Sequence, residues 1–221
     1  MSELTPDSIS VKIATLSEGR GNATIRRYLA VLGHALNVAV KQWQWLYENP
    51  LRRVTKPPEP RRRVRFLSDD ERERLLQACR ESRSPYLYAV VVLALSTGAR
   101  KMELLGLVWC QVDFIRGAIH LEETKNGERR VLPITGYALD LMQQHASGRR
   151  VDTNLVFPGR TGLKPIYIRD AFEAAVQRAG ISDFCFHDLR HSTASYLAMS
   201  GCSLDEIAEI LGHKTLEVTR R

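Results

Sequence analysis

The chain has 221 residues, 44% of them hydrophobic and 26% charged, with a formal net charge of +7 and a pI near 9.4. These are the figures of an ordinary soluble globular protein with one good core, or one core and a smaller module; the surplus of Lys and Arg leans towards a polyanionic partner. No apolar run spans a bilayer, the opening MSELTPDSIS is not a basic-then-apolar signal segment, and Cys79, Cys110, Cys185 and Cys202 form no C-x-x-C pair, so buried free thiols, a cytoplasmic setting and no membrane partner are expected.

Residues 1 to about 20 are weakly patterned, with turns at Pro6 and Gly19–Gly21. From Thr24 the period is helical, with Ile25, Tyr28, Leu29, Leu32, Leu36, Ala39 and Val40 on one side. The helix is expected to run through Trp43–Tyr47 and to end at Asn49-Pro50. Residues 51–65, LRRVTKPPEPRRRVR, carry seven basic residues, three prolines and one acid. They read as a basic linker able to lie along a phosphate backbone.

Ser68-Asp69-Asp70-Glu71 is a capping box opening a helix to about Glu81. A buried helix follows over Tyr86–Leu95, broken by Ser96–Arg100, and then a short helix over Lys101–Gly106. Strands are expected at Val112–Ile115, Ala118–Glu122 and Arg129–Ile134. Asn126-Gly127 is a hairpin signal that puts Lys125 at a tip. Helices follow at Thr135–Ser147, Ile166–Ala179 and His187–Ser200. A second capping box, Ser203-Leu204-Asp205-Glu206, opens the last full helix, which Gly212 closes in the left-handed conformation. The expected class is therefore mainly α with a small antiparallel sheet (α+β). Its parts are a helical module over 1–50, a linker over 51–65 and a larger domain over 66–221.

Five basic residues sit at ends of these elements: Arg100, Lys125, His187, Arg190 and His213. Singly, each reads as an ordinary surface residue. Together they form a set without a carboxylate, unlike a metal site or a serine-type triad. His187 and Arg190, three apart, lie on one helix face. Two guanidiniums can clamp the non-bridging oxygens of a phosphate, and an ammonium or imidazole can move protons at the leaving and attacking oxygens. No cofactor, metal or small-molecule substrate is implied.

Four stretches carry a resemblance: STGARKMELLGLVW around Arg100, TKNGERRVLPI around Lys125, HDLRH at His187–His191 and LGHKTLEVTRR from Leu211. In order and spacing they resemble the tyrosine recombinase (phage integrase) family. The resemblance implies that Arg100 and Arg190 bind the scissile phosphate and that Lys125 is the general acid for the 5′-hydroxyl. It further implies that His187 assists proton transfer and His213 hydrogen-bonds a non-bridging oxygen. Glu103 matches an acid of the family and is expected to orient rather than react, while His34, His120, His145 and His191 read as ordinary residues. The implied reaction is strand cleavage and rejoining through a 3′-phosphotyrosyl link, without metal or ATP. The implied partner is double-stranded DNA, with self-association of the intact protein into a tetramer on it. The family's attacking tyrosine stands nine residues after the second histidine, one position beyond Arg221, and none of the chain's seven tyrosines occupies it. The chain is therefore expected to bind DNA without cutting it, either as a recombinase sequence that stops before its nucleophile or as a naturally truncated remnant of a mobile element. Type IB topoisomerases share this kind of site, but the motif wording is closer to integrases.

Overall fold

The computed structural model describes residues 4–59, 65–121 and 129–212, in two units, Met1–Arg63 and Val64–Arg221. The first unit opens with α1 (Pro6–Ser17), where the sequence reading expected little pattern. The reason is local chemistry: Thr5 caps the helix and exchanges hydrogen bonds with Ser8 at 3.2 and 3.1 Å, and Pro6 and Asp7 suit the first turn. Only Ile9 is fully buried, a stripe too thin to stand out as a period.

Helix α2 (Asn22–Lys41) buries Ile25, Leu29, Leu36 and Ala39. It ends before the Trp43–Tyr47 stretch rather than after it, because Gln44 takes a positive φ of 55° that a right-handed helix excludes. Trp43 and Trp45 instead pack on each other at 4.5 Å and stay exposed.

The basic stretch also begins differently from the expected linker. Pro50–Arg53 is a 3₁₀ turn. Asn49 holds it by accepting from the Leu51 N–H at 2.9 Å and donating to the Asn37 side chain at 2.8 Å and the Gly33 carbonyl at 3.3 Å. Leu51 and Val54 complete the small core with Ile9, Ile25, Leu29 and Leu36. Apolar burial thus draws residues 51–54 into the packed module; residues 60–64 lie outside the described residues.

The second unit is built around α4 (Leu87–Thr97), whose Leu87, Val90, Val91, Leu93 and Ala94 are buried. It packs against α3 (Asp69–Arg80), α5 (Lys101–Leu105), α6 (Tyr137–Ser147) and α8 (Asp188–Met199). The Ser68 capping box is present, with Glu71 closing back on the Ser68 N–H at 3.0 Å. Strands β1 (Val112–Asp113), β2 (Ala118–Leu121) and β3 (Arg130–Pro133) form an antiparallel sheet in that order. Its register sets Ile119 opposite Leu132, both fully buried, and Leu121 opposite Arg130. The Asn126-Gly127 hairpin and Lys125 lie outside the described residues. Helices α7 (Arg169–Arg178) and α9 (Leu204–Leu211) complete the unit, the latter opened by the Ser203 capping box.

The class is the expected one, mainly α with a small antiparallel sheet. Among the described residues no helix is long and apolar enough to cross a membrane. Of the four cysteines only Cys79 is buried: Cys110 and Cys185 are exposed and Cys202 is half-buried. Apolar neighbours in sequence placed those thiols on the wrong side, because burial depends on which face the helix or loop turns inwards. Burial pushes the Cys79 thiol up to about 12, so it is an inert packing group.

Candidate active site

Two helix breaks and one strand start bring the site together. Helix α4 ends at Gly98, whose φ of +61° is left-handed; a Cβ there would lie 2.3 Å from the Leu211 side chain. This closure leaves the Gly98 carbonyl facing α8, where Arg190 donates to it through Nη1 at 2.7 Å. Two residues later Arg100 caps α5. The Glu103 carboxylate turns back to accept from the Arg100 backbone N–H at 2.8 Å and from its guanidinium at 2.7 Å.

Arg190 is 5% exposed. Its other arm, Nη2, donates to the Leu211 carbonyl at the end of α9, a helix-terminal acceptor of the kind that attracts cations. The same carbonyl accepts from Nη1 of Arg130 at the start of β3. Arg130 also pairs with Glu103 at 2.9 Å, the two side chains being 9% and 10% exposed. Arg100 reaches the Gly212 carbonyl at 3.5 Å and is the most open of the three arginines, its side chain 29% exposed.

Arg100 and Arg130 therefore share one carboxylate, and Arg190 meets Arg130 at the Leu211 carbonyl. Burial alone would raise the Glu103 pKa, but hydrogen bonds from the Arg100 backbone and side chain and the charges of Arg130 and Arg100 outweigh it, and the net shift is downwards. Arg130 is lowered by burial, an effect Glu103 opposes and Arg100 reinforces. Arg190 is lowered furthest, to about 9, by burial and then by Arg100 and Arg130. It is still cationic at neutral pH. A surplus of buried positive charge is electrostatically unfavourable in isolation and favours an anion.

His187 caps α8 and has its imidazole edge-on to His191 at 5.1 Å. It is exposed by area, yet the packing on its inner side lowers its pKa, with the charges of His191 and Arg190 adding to the effect. It is therefore a neutral imidazole at pH 7, able to accept a proton. Helix α8 is held in place by hydroxyls on its inner face. Ser192 accepts from the Leu67 N–H at 3.0 Å, the Tyr196 hydroxyl donates to the Leu67 carbonyl at 3.0 Å, and Thr193 donates to the Leu95 carbonyl at 2.9 Å.

Of the expected site residues, Arg100 and Arg190 reach the adjacent carbonyls of Gly212 and Leu211, and His187 caps the helix that carries Arg190. Lys125 and His213 lie outside the described residues. Glu103 stands at the centre of the cluster. Arg130 did not figure in the sequence reading, because a basic residue in the run GERRVLPI looks like a surface strand residue. The one available signal was parity: Arg130 shares a sheet face with Leu132, which is fully buried. Of the remaining histidines, His145 is half-buried, stacked on Phe157 at 5.3 Å and bonded to the Val156 carbonyl at 2.7 Å.

A family model described as the phage integrase family matches residues 65–221. A shufflon-specific DNA recombinase of Escherichia coli is 33% identical over 230 residues, covering 100% of this chain and 58% of that protein. The solved catalytic domain of bacteriophage HP1 integrase is 33% identical with a TM-score of 0.57, covering 72% of this chain and 86% of that one. The integrase of the Tn1549 transposon, solved in complex with circular intermediate DNA, shares the fold with a TM-score of 0.82 at 20% identity, over 98% of this chain and 80% of that one. The chain spans about half the length of the curated relatives it matches.

Proposed function

The chain belongs to the phage integrase family, and from that membership we propose that it carries the phosphate-binding machinery of a site-specific tyrosine recombinase acting on duplex DNA. The observation that carries this reading is the meeting of Arg100 and Arg190, distant in sequence, around carbonyls at Gly98, Leu211 and Gly212. Paired guanidiniums on a phosphodiester supply the charge that metal ions supply in other phosphoryl-transfer sites.

In this scheme Arg100 and Arg190 bind the non-bridging oxygens of the scissile phosphate, and His213 adds a hydrogen bond to one of them. His187, neutral at pH 7, accepts the proton of the attacking hydroxyl. Lys125 protonates the departing 5′-oxygen. The nucleophile is a tyrosine, which the family's spacing puts at the position after Arg221; its attack forms a 3′-phosphotyrosyl ester and releases a free 5′-hydroxyl. The ester conserves the bond energy, so the reverse attack by a 5′-hydroxyl of a second strand rejoins DNA without ATP or metal. The domain plan proposed with it is a DNA-clamping helical module before the catalytic unit, with the intact protein assembling as a tetramer on two duplexes. Two solved relatives are seen with DNA, one a lambda integrase tetramer on a Holliday junction.

The test is a nicked suicide duplex carrying the recombination site. Residues 1–221 alone should bind it and give no covalent adduct, whereas the same chain extended by Tyr should give one. An adduct with residues 1–221 alone would place the nucleophile elsewhere. Binding without an adduct in both would leave a DNA-binding remnant of a mobile element.

A further inference from the structure

The cluster around Glu103 closes on itself, and Arg130 is the member with no assigned part in the reaction. The two oxygens of Glu103 divide between Arg100, on Oε1 at 2.7 Å, and Arg130, on Oε2 at 2.9 Å. Arg130 passes on to the Leu211 carbonyl, which Arg190 shares. Arg190 returns to the Gly98 carbonyl, two residues before Arg100. The ring therefore runs from Arg100 through Glu103, Arg130, Leu211 and Arg190 back to the backbone at 98–100. Glu103 and the Leu211 carbonyl are the acceptors that orient Arg100 and Arg190, and among the described residues only Arg130 touches both.

We propose that Arg130 is a positioning residue that fixes the separation and aim of the Arg100 and Arg190 guanidiniums by tying their two acceptors together. The inference rests on the reading of Arg100 and Arg190 as phosphate-binding groups. Three features suit Arg130 to the task. Its planar fork serves two acceptors at once, which an ammonium cannot do with the same geometry. It starts strand β3, whose ladder with β2 at Leu121 fixes its backbone. Its guanidinium fills the space beside Gly212: a Cβ there would lie 2.7 Å from Arg130 Cδ and Nη1, so the glycine that closes α9 at φ +64° also makes room for it. Its Nε is buried and has no hydrogen-bond partner among the described residues, so the bonds to Glu103 and Leu211 hold the group. Arg130 does not itself face the phosphate in this scheme; it sets the fixed frame in which the two binding arginines need not reorganise when charge builds on phosphorus.

The experiment is a titration of inorganic phosphate into the 221-residue chain, followed through ¹⁵N-edited signals of the arginine side chains. Wild type should bind, and Arg190→Lys should weaken binding. Arg130→Lys, measured well below its unfolding temperature, should weaken binding roughly tenfold, and the Arg130→Lys/Arg190→Lys double variant should be little weaker than Arg190→Lys, because the two act as one unit. In wild type, the Nη signals of Arg190 should be resolved by restricted rotation and should average in Arg130→Lys. Unchanged phosphate affinity in folded Arg130→Lys, or additive losses, would overturn the positioning role while leaving the site reading intact. A wild-type chain that takes up no phosphate would overturn both. Should Arg130→Lys fail to fold, the wild-type titration still decides: Arg130 signals must move with the same midpoint as those of Arg190, and a silent Arg130 refutes the link.

Discussion

Two basic regions of this chain use the same charge in opposite ways. The stretch from Leu51 to Arg65 is dense in Arg and Lys, and Arg52, Arg53 and Lys56 are exposed while Arg65 at its end is half-buried; Arg53 pairs with Glu48 on the surface, the side chains 70% and 47% exposed. The cluster of Arg100, Arg130 and Arg190 is drawn inside around one carboxylate and two helix-end carbonyls. Exposed charges are screened and mobile, so they contribute salt-dependent attraction to a polyanion and little to stability. Buried charges are costly to desolvate and strong once paired, so they contribute geometry. One region is suited to salt-dependent attraction to a polyanion, and the other to holding a single anion at a defined point.

The contrast is broken most severely at Glu103. Glu103→Gln removes the carboxylate that offsets three guanidiniums, and about 3–5 kcal/mol of stability should be lost, read by urea unfolding. A smaller loss, about 2 kcal/mol, is expected for Gly98→Ala, which puts a Cβ into a left-handed position against Leu211 and disturbs the seat of Arg190.

Glu71 tests a pair of intermediate kind. A hydrogen bond from Arg65, then one from the Ser68 N–H, lowers its carboxyl from 4.5 to about 2. Its folded pKa is depressed, so it contributes stability that is present above 4.5 and is lost as pH falls towards 2. Glu71→Gln should therefore reduce stability at pH 7 and flatten the acid limb between those values in a pH series of thermal melts.

The smallest effect on stability, within about 0.5 kcal/mol, is expected for Arg52→Ala, Arg53→Ala and Lys56→Ala together. The same triple variant should flatten the plot of duplex affinity against salt by roughly one unit for each phosphate contact removed. An unchanged slope would take this stretch out of DNA binding.

How much of this was legible beforehand follows from range. The Ser68 and Ser203 capping boxes, the left-handed Gly212 and the order of helices and strands were readable, because capping and turn chemistry act within four residues. Helix α1 was missed, since one buried isoleucine makes no visible period, and α2 was drawn too long because nothing in Trp-Gln-Trp announces a positive φ at Gln44. Residues 51–54 looked like linker because Leu51 and Val54 find their partners in α1 and α2, far back along the chain. Within the site, Arg100, Glu103, His187 and Arg190 were legible through motifs, whereas Arg130 was not: its partners Glu103 and Leu211 stand 27 and 81 residues away.

By itself, then, the sequence determined most helix starts and stops, the class and the family, and which basic residues stand at element ends. The tertiary structure alone decided which of those cations are buried, that one carboxylate serves two of them, and that the carbonyl ending α9 joins the other pair. The reason is physical. Local signals act over a turn of helix, while the environment of a guanidinium is set by whichever distant carbonyl and carboxylate the packed core brings against it.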